Sequence, residues 1–341
     1  MGVDLSYRHR PWPSSRMLTA LAVAAALVAG CGAGHPSAGA HTGRGGTVRS
    51  SAGAAASASA PPSATQSPAP SASRPVLPRP QGALAWRPVG RPVLGTPALY
   101  LGHTLGADLV WMDTRLVRFE QVAGVKDPPG MSGPGGGQVP AAERPALVAA
   151  FSSGFQLKDM TGGWYAAGRS ARALQAGQAA FVVDRDGRPS IGAWGREVRM
   201  GPGVASVRQN LALLLDGGRL TAAVRTQPST SWGATIGGVV AAHRSGVCID
   251  RQAALVFVYS QQISVPALAR VMLAAGCVRG MQLDINPEWL SFNLYTPAPR
   301  QPAAAIGRKL LGISLRPNNR YLVPDDRDFF AVYARPAGLY G

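Results

Sequence analysis

Residues 243–286 read HRSGVCIDRQAALVFVYSQQISVPALARVMLAAGCVRGMQLDIN, and this stretch decides the fold. Gly246–Ile249 and Ala253–Ser260 are short apolar runs on either side of Asp250-Arg251-Gln252, the pattern of a hairpin. Ser264 is placed to cap a helix, and Pro266 falls in its first turn, where a missing N–H costs nothing. Leu268, Val271, Met272 and Ala275 recur at helical spacing, and Gly276 supplies the left-handed residue that ends a helix. Gly280–Asp284 then reads as a strand with Met281 and Leu283 on one face and Gln282 and Asp284 on the other. The stretch predicts a strand–helix–strand unit whose last strand delivers Asp284 to an edge, where α/β proteins place their sites.

The rest of the domain reads as strand-rich with few helices, an α+β class. Ala107–Met112, Leu116–Gln121, Ala146–Phe151, Ala179–Asp184 and Leu211–Leu215 are apolar runs of strand length. Asp184-Arg185-Asp186-Gly187 and Asp216-Gly217-Gly218 fall where hairpin turns are needed. Ser132–Gly137 (SGPGGG) is a loop without the Gly-Lys-Ser/Thr ending of a phosphate loop, so no nucleotide role attaches to it.

Upstream, Arg8, Arg10 and Arg16 form a basic head, Met17–Val28 an apolar run, and Val28-Ala29-Gly30-Cys31 a small-residue cut site. This describes a secretory leader, too short for the roughly 20 apolar residues that a membrane span needs. The cysteine resembles the lipobox of bacterial lipoproteins, which implies a lipidated Cys31, membrane attachment and an extracytoplasmic domain. Residues 32–82 are nearly all Ser, Ala, Pro and Gly, bury too little apolar surface to order themselves, and read as a disordered tether. One domain over residues 83–341 remains. With Cys31 lipidated, Cys248 and Cys277 are an even pair, read as a disulfide with two buried thiols as the alternative.

The chain has 34 Lys+Arg against 17 Asp+Glu, a net of +17; loss of the leader removes three arginines and one aspartate and leaves +15. The charges are scattered rather than clustered on a basic helix, so nucleic acid is not expected, and wall polymers bearing phosphate or anionic lipid are the expected long-range partners. No ligand spacing demands a metal, and no cofactor motif is present.

His243–Asp250 resembles the Arg-Thr-Ala-Ile-Gly segment of the phosphodiester glycosidase family. Leu283-Asp284-Ile285-Asn286 stands at its Leu-Asp-Gly-Gly, Ala150–Phe155 (AFSSGF) at its strand ending Asn-Gly-Gly-Phe, and Leu214-Leu215-Asp216-Gly217 at its Asp-Gly turn. The resemblance runs in order over roughly residues 100–335. It implies a large twisted mixed sheet and a site for a glycosyl phosphodiester. Arg244 takes the family's arginine, Ser245 its threonine and Asp284 its aspartate. Ser152 and Ser153 depart from the family by standing where it has Asn and Gly, a hydroxyl replacing the amide at Ser152, and Ile285 and Asn286 stand where it has two glycines.

Breaking a glycosyl–phosphate bond builds positive charge at the anomeric carbon and negative charge on the leaving phosphate. Paired carboxyls about 5–10 Å apart serve such chemistry. Asp284, Glu288 and Asp216 are the catalytic candidates, with Asp159 behind them; Asp284 leads, a strand-end turn former being its alternative, and Glu288 could equally be a solvated loop residue. Arg244 suits a phosphate clamp, because its fork donates two parallel bonds. Ser245, Asn286, Ser152 and Gly154 are expected to orient substrate, Gly163 to admit close approach, and Tyr165 to face a sugar ring. The reading is thus an extracytoplasmic hydrolase acting on a sugar-phosphate or cell-wall glycan. A non-catalytic glycan-binding lipoprotein and a structural wall tether are its alternatives.

Overall fold

Apolar runs of four to six residues, broken by glycine-bearing turns, leave this chain little choice but strands. A computed structural model describes residue 80 and residues 83–337, except 134 and 313. The leader with Cys31, and the tether apart from Pro80, lie outside the described residues. The elements are β1 (Arg87–Val89), β2 (Leu99–Thr104), β3 (Ala107–Met112), β4 (Val117–Val122), β5 (Leu147–Ser152), β6 (Trp164–Ala166), β7 (Arg169–Arg172), β8 (Ala179–Asp184), β9 (Pro189–Ala193), β10 (Val204–Gln209), β11 (Leu213–Asp216) and β12 (Arg219–Leu220). They continue with α1 (Ala222–Thr226), β13 (Ala242–Asp250), β14 (Leu255–Ile263), α2 (Val265–Ala274), β15 (Cys277–Gln282), β16 (Phe292–Ala298), β17 (Gln301–Lys309) and β18 (Phe329–Ala334).

The strands sort into three sheets, ordered β1-β2-β3-β14-β13-β15-β11-β12, β7-β6-β10-β8-β9 and β17-β16-β5-β18-β4. All neighbouring named strands are antiparallel. The expectation of one large mixed sheet is therefore corrected to three antiparallel sheets with few helices. The decisive stretch folds as a split crossover. β14 and β15 both pair with β13, so they run parallel to each other with β13 between them, and α2 joins them. Ser264 caps α2 by accepting from the Ala267 N–H at 3.4 Å, and Gly276 sits at φ +79° just beyond its end. Strand β15 stops at Gln282, two residues earlier than expected, and Asp284 follows it.

The eight-stranded sheet is covered on both faces. Leu268, Val271 and Met272 of α2 pack with Cys248, Val256 and Val258 on one face. On the other, Phe257 meets Phe151 at 5.4 Å and Phe292 at 5.1 Å, while Phe330 meets Phe181 at 4.3 Å, so aromatic rings from all three sheets share one core. Burial of each such ring contributes about 1.5–3 kcal/mol. Cys248 and Cys277 are joined as a disulfide with Cα atoms 5.8 Å apart, linking β13 to the start of β15. No helix among the described residues is long and apolar enough to cross a membrane.

Candidate functional site

Asp284 is held by its main chain before its side chain does anything. The β13–β15 ladder continues past β15: the Leu283 N–H donates to the Ser245 carbonyl at 2.8 Å, and the Ser245 N–H to the Asp284 carbonyl at 2.9 Å. The Ser245 hydroxyl adds a bond to the same carbonyl at 3.0 Å. Asp284 Oδ1 then accepts from the N–H groups of Ile285 (2.7 Å) and Asn286 (2.9 Å), turning the chain away from the sheet. Asn286 repeats the device, its Oδ1 accepting from the Glu288 N–H at 3.0 Å.

The other Asp284 oxygen, Oδ2, faces Arg327 Nη2 at 3.4 Å. The same Nη2 donates to the Gly154 carbonyl at 2.7 Å, and Arg327 Nε lies 3.8 Å from Asp127 Oδ2. One guanidinium thus stands between two carboxyls and touches the turn after β5. Around it, Asp328 takes Arg208 Nε at 2.8 Å and Trp164 Nε1 at 3.1 Å, and its carbonyl accepts from the Ser153 hydroxyl at 2.9 Å. Arg320 forks onto Asp325 at 2.7 and 3.3 Å and also donates to the Trp289 carbonyl at 2.5 Å. This is a buried network of Asp127, Asp284, Asp325 and Asp328 with Arg208, Arg320 and Arg327, where the three sheets meet.

Burial raises the Asp284 carboxyl above the usual carboxylate range, against the pull of Arg327 and the two N–H donors. Asp127 is raised too, first by burial and then by the neighbouring Asp328, with Arg208 and Arg327 opposing. Asp127 Oδ2 has no hydrogen-bond partner among the described residues, and only the charge of Arg327 at 3.8 Å offsets its desolvation directly. Carboxyls held protonated to higher pH are suited to giving up a proton at a leaving oxygen.

The other expected residues take different places. Arg244 is fully buried, and its guanidinium donates to the carbonyls of Ile263, Trp232 and Val240 and to Gln282 Oε1. It braces the 232–240 segment against β13 and β15, and its guanidinium makes no hydrogen bond or ion pair with the Asp284 carboxyl among the described residues. Burial also pushes this guanidinium down from its ordinary value. Asp216 pairs with Arg279 at 3.1 Å, near the start of β15. Asp284 follows the other end of that strand, five residues and about 16 Å along an extended chain, so the two carboxylates are not brought together. Glu288 is exposed and pairs with Arg316 at 3.3 Å; Asn286 is exposed beside it. Asp159 is exposed and has no partner for its side chain among the described residues.

Ser152 is buried, with its hydroxyl 3.5 Å from the Ser291 N–H. Gly154 sits at φ +142°, where a Cβ would come within 2.3 Å of Asn210 Nδ2. Gly163 admits close approach, but of the chain's own Ala173 carbonyl, 2.3 Å from a notional Cβ, rather than of a ligand. Tyr165 packs beside Ala180, Val182 and Val207 and lines a cleft of about 520 Å³ whose lining does not include Asp284. Two of the four resembling segments, Ala150–Phe155 and Leu283–Asn286, do converge, on Arg327. Arg327, Arg208, Arg320, Asp127 and Asp328 were not read from the sequence. The run Asp325-Asp326-Arg327-Asp328 directly before the apolar FFAVYA carried the available signal: four charges in four residues, in a chain only 15% charged.

No group of three or more His, Cys, Asp or Glu suited to a metal ion occurs among the described residues. No protein-family model matches the sequence, and no curated protein matches it. Among solved structures, the catalytic domain of zebrafish N-acetylglucosamine-1-phosphodiester alpha-N-acetylglucosaminidase, auto-inhibited by its pro-peptide, is similar at 14% identity over 75% of this chain and 85% of that chain, with a TM-score of 0.43. A hypothetical protein from Synechocystis is similar at 12% identity over 73% of this chain and 64% of that one (TM-score 0.41). A putative exported protein from Burkholderia pseudomallei is similar at 10% identity over 70% and 75% (TM-score 0.31). At this distance none of the three assigns an activity.

Proposed function

We propose that residues 83–341 form a hydrolase of glycosyl phosphodiester linkages in envelope glycans, carried outside the cytoplasmic membrane on a tether from a lipidated Cys31. The observation that carries the reading is the meeting of Asp284 and Gly154 at Arg327: two segments of family-like sequence, about 130 residues apart, share one guanidinium. Asp284 is the proton donor to the leaving oxygen, since burial favours its protonated form at higher pH than an ordinary carboxyl. Asp127, across Arg327, is the second carboxyl, near enough for the roughly 5–10 Å separation over which such pairs act. Ser245 and Asn286 act as positioning residues. Ser245 holds the Asp284 main chain, and Asn286 orders the loop that follows. The leader and Cys31 support the anchored, extracytoplasmic placement, through the composition of residues 1–31 alone.

A second reading, a non-catalytic glycan-binding lipoprotein, draws on the burial of Asp284, which is 3% exposed, and on Ser152-Ser153 standing in place of Asn-Gly. Incubating the purified protein with a chromogenic sugar phosphodiester separates the two. Release of chromophore that scales with enzyme supports the hydrolase, whereas saturable binding without release supports the second reading.

A further inference from the structure

Of the guanidiniums around Asp284, Arg208, Arg320 and Arg327 are each buried and committed to internal acceptors. Arg316 differs. Its side chain is 29% exposed, and its polar partners all belong to one exposed residue, the Glu288 carbonyl at 3.2 Å and Glu288 Oε1 at 3.3 Å. It stacks over the half-buried Trp289 indole at 3.8 Å, while Arg327, the partner of Asp284, lies 5.2 Å from the same ring. The indole therefore fixes the plane of a partly exposed guanidinium on the ring that Arg327, the partner of Asp284, also approaches. Stacking restricts the fork without consuming its donors. An exposed ion pair such as Arg316–Glu288 adds little stability, so another anion can take the place of its carboxylate.

We propose that Arg316 binds the phosphate of the ligand at this site, with Glu288 as the carboxylate that occupies it in the free protein. The inference rests on the reading of the site as one for a phosphodiester, and it replaces Arg244, whose donors are spent on carbonyls. Displacing the Glu288 carboxylate leaves Nε on the Glu288 main-chain carbonyl and frees the two terminal nitrogens for two phosphate oxygens, a bidentate, charge-assisted contact in place of a single one. Glu288, displaced, swings into solvent, which it already faces. Arg316 is thus a specificity residue, and substrate lacking the phosphate would leave the Glu288 pair closed.

The test is calorimetric titration of the full chain with inorganic phosphate and with dimethyl phosphate, on wild type and on Arg316→Gln, Arg316→Lys and Glu288→Gln. The expected result is saturable binding by wild type, weakened about tenfold or more in Arg316→Gln, weakened less in Arg316→Lys, and equal or tighter in Glu288→Gln. Circular dichroism of each variant establishes that it is folded. Equal affinity in wild type and folded Arg316→Gln, or no saturable binding by wild type, overturns the inference. Phosphate binding through Arg316 in a chain that hydrolyses nothing would sink the hydrolase and leave this assignment standing. Hydrolysis with unaltered phosphate affinity in Arg316→Gln would do the reverse.

Discussion

Two residues that look alike on paper, Arg244 and Arg327, do opposite work. Arg244 is surrounded by carbonyl acceptors, so Arg244→Met strands several buried oxygens and should cost about 3 kcal/mol or more in urea unfolding, while phosphate affinity of the folded fraction stays unchanged. A variant that is fully stable but loses phosphate binding would restore the clamp. Asp284 has a signed pH dependence. Its folded value is raised, so its contribution to stability is present below the unfolded value near 3.8 and is lost as pH rises through the folded one. Wild type should therefore lose more stability than Asp284→Asn as pH rises above the unfolded value near 3.8, read by thermal melts. Equal slopes would mean that the carboxyl is not held above its ordinary range. Asp284 and its turn could be read from the sequence, because an apolar strand followed by Asp-Ile-Asn is a local pattern. Its partners could not, because which guanidinium meets a buried carboxyl is decided by chain segments over forty residues away.

At the scale of elements, the β14–α2–β15 unit was legible because its signals are local: a serine cap, an early proline, helical spacing and a terminal glycine. Strands β3 and β8 likewise have the bounds that their apolar runs predict. The sorting of strands into three sheets was not legible. Each strand's own pattern says that it pairs, and the choice of partner depends on distant edges, as where β5 takes β16 and β18. The Cys248–Cys277 bond ties this unit together across a separation of 29 residues. Replacing both cysteines with serine should lower unfolding free energy by about 3–4 kcal/mol in the chain-entropy account. A double variant that unfolds at the same urea concentration as wild type would contradict that account.

Over the whole described molecule, the buried network lies beside the aromatic core that joins the sheets, so the site depends on that core being intact. Phe151 is central, touching Phe257, Phe292 and Phe330. It lies one residue before Ser152 and three before Gly154, so Phe151→Ala should cost about 3–5 kcal/mol and loosen the turn that Arg327 grips. If the proposed envelope placement holds, the net charge of +15 left after loss of the leader would draw the protein toward anionic polymers before any specific contact forms. The measurement that bears most directly on the central claim is the turnover number of wild type against Asp284→Asn on a chromogenic sugar phosphodiester, with circular dichroism confirming that both are folded. The account predicts measurable turnover by wild type and a loss of about 100-fold or more in the variant. Turnover by folded Asp284→Asn at the wild-type rate would contradict it.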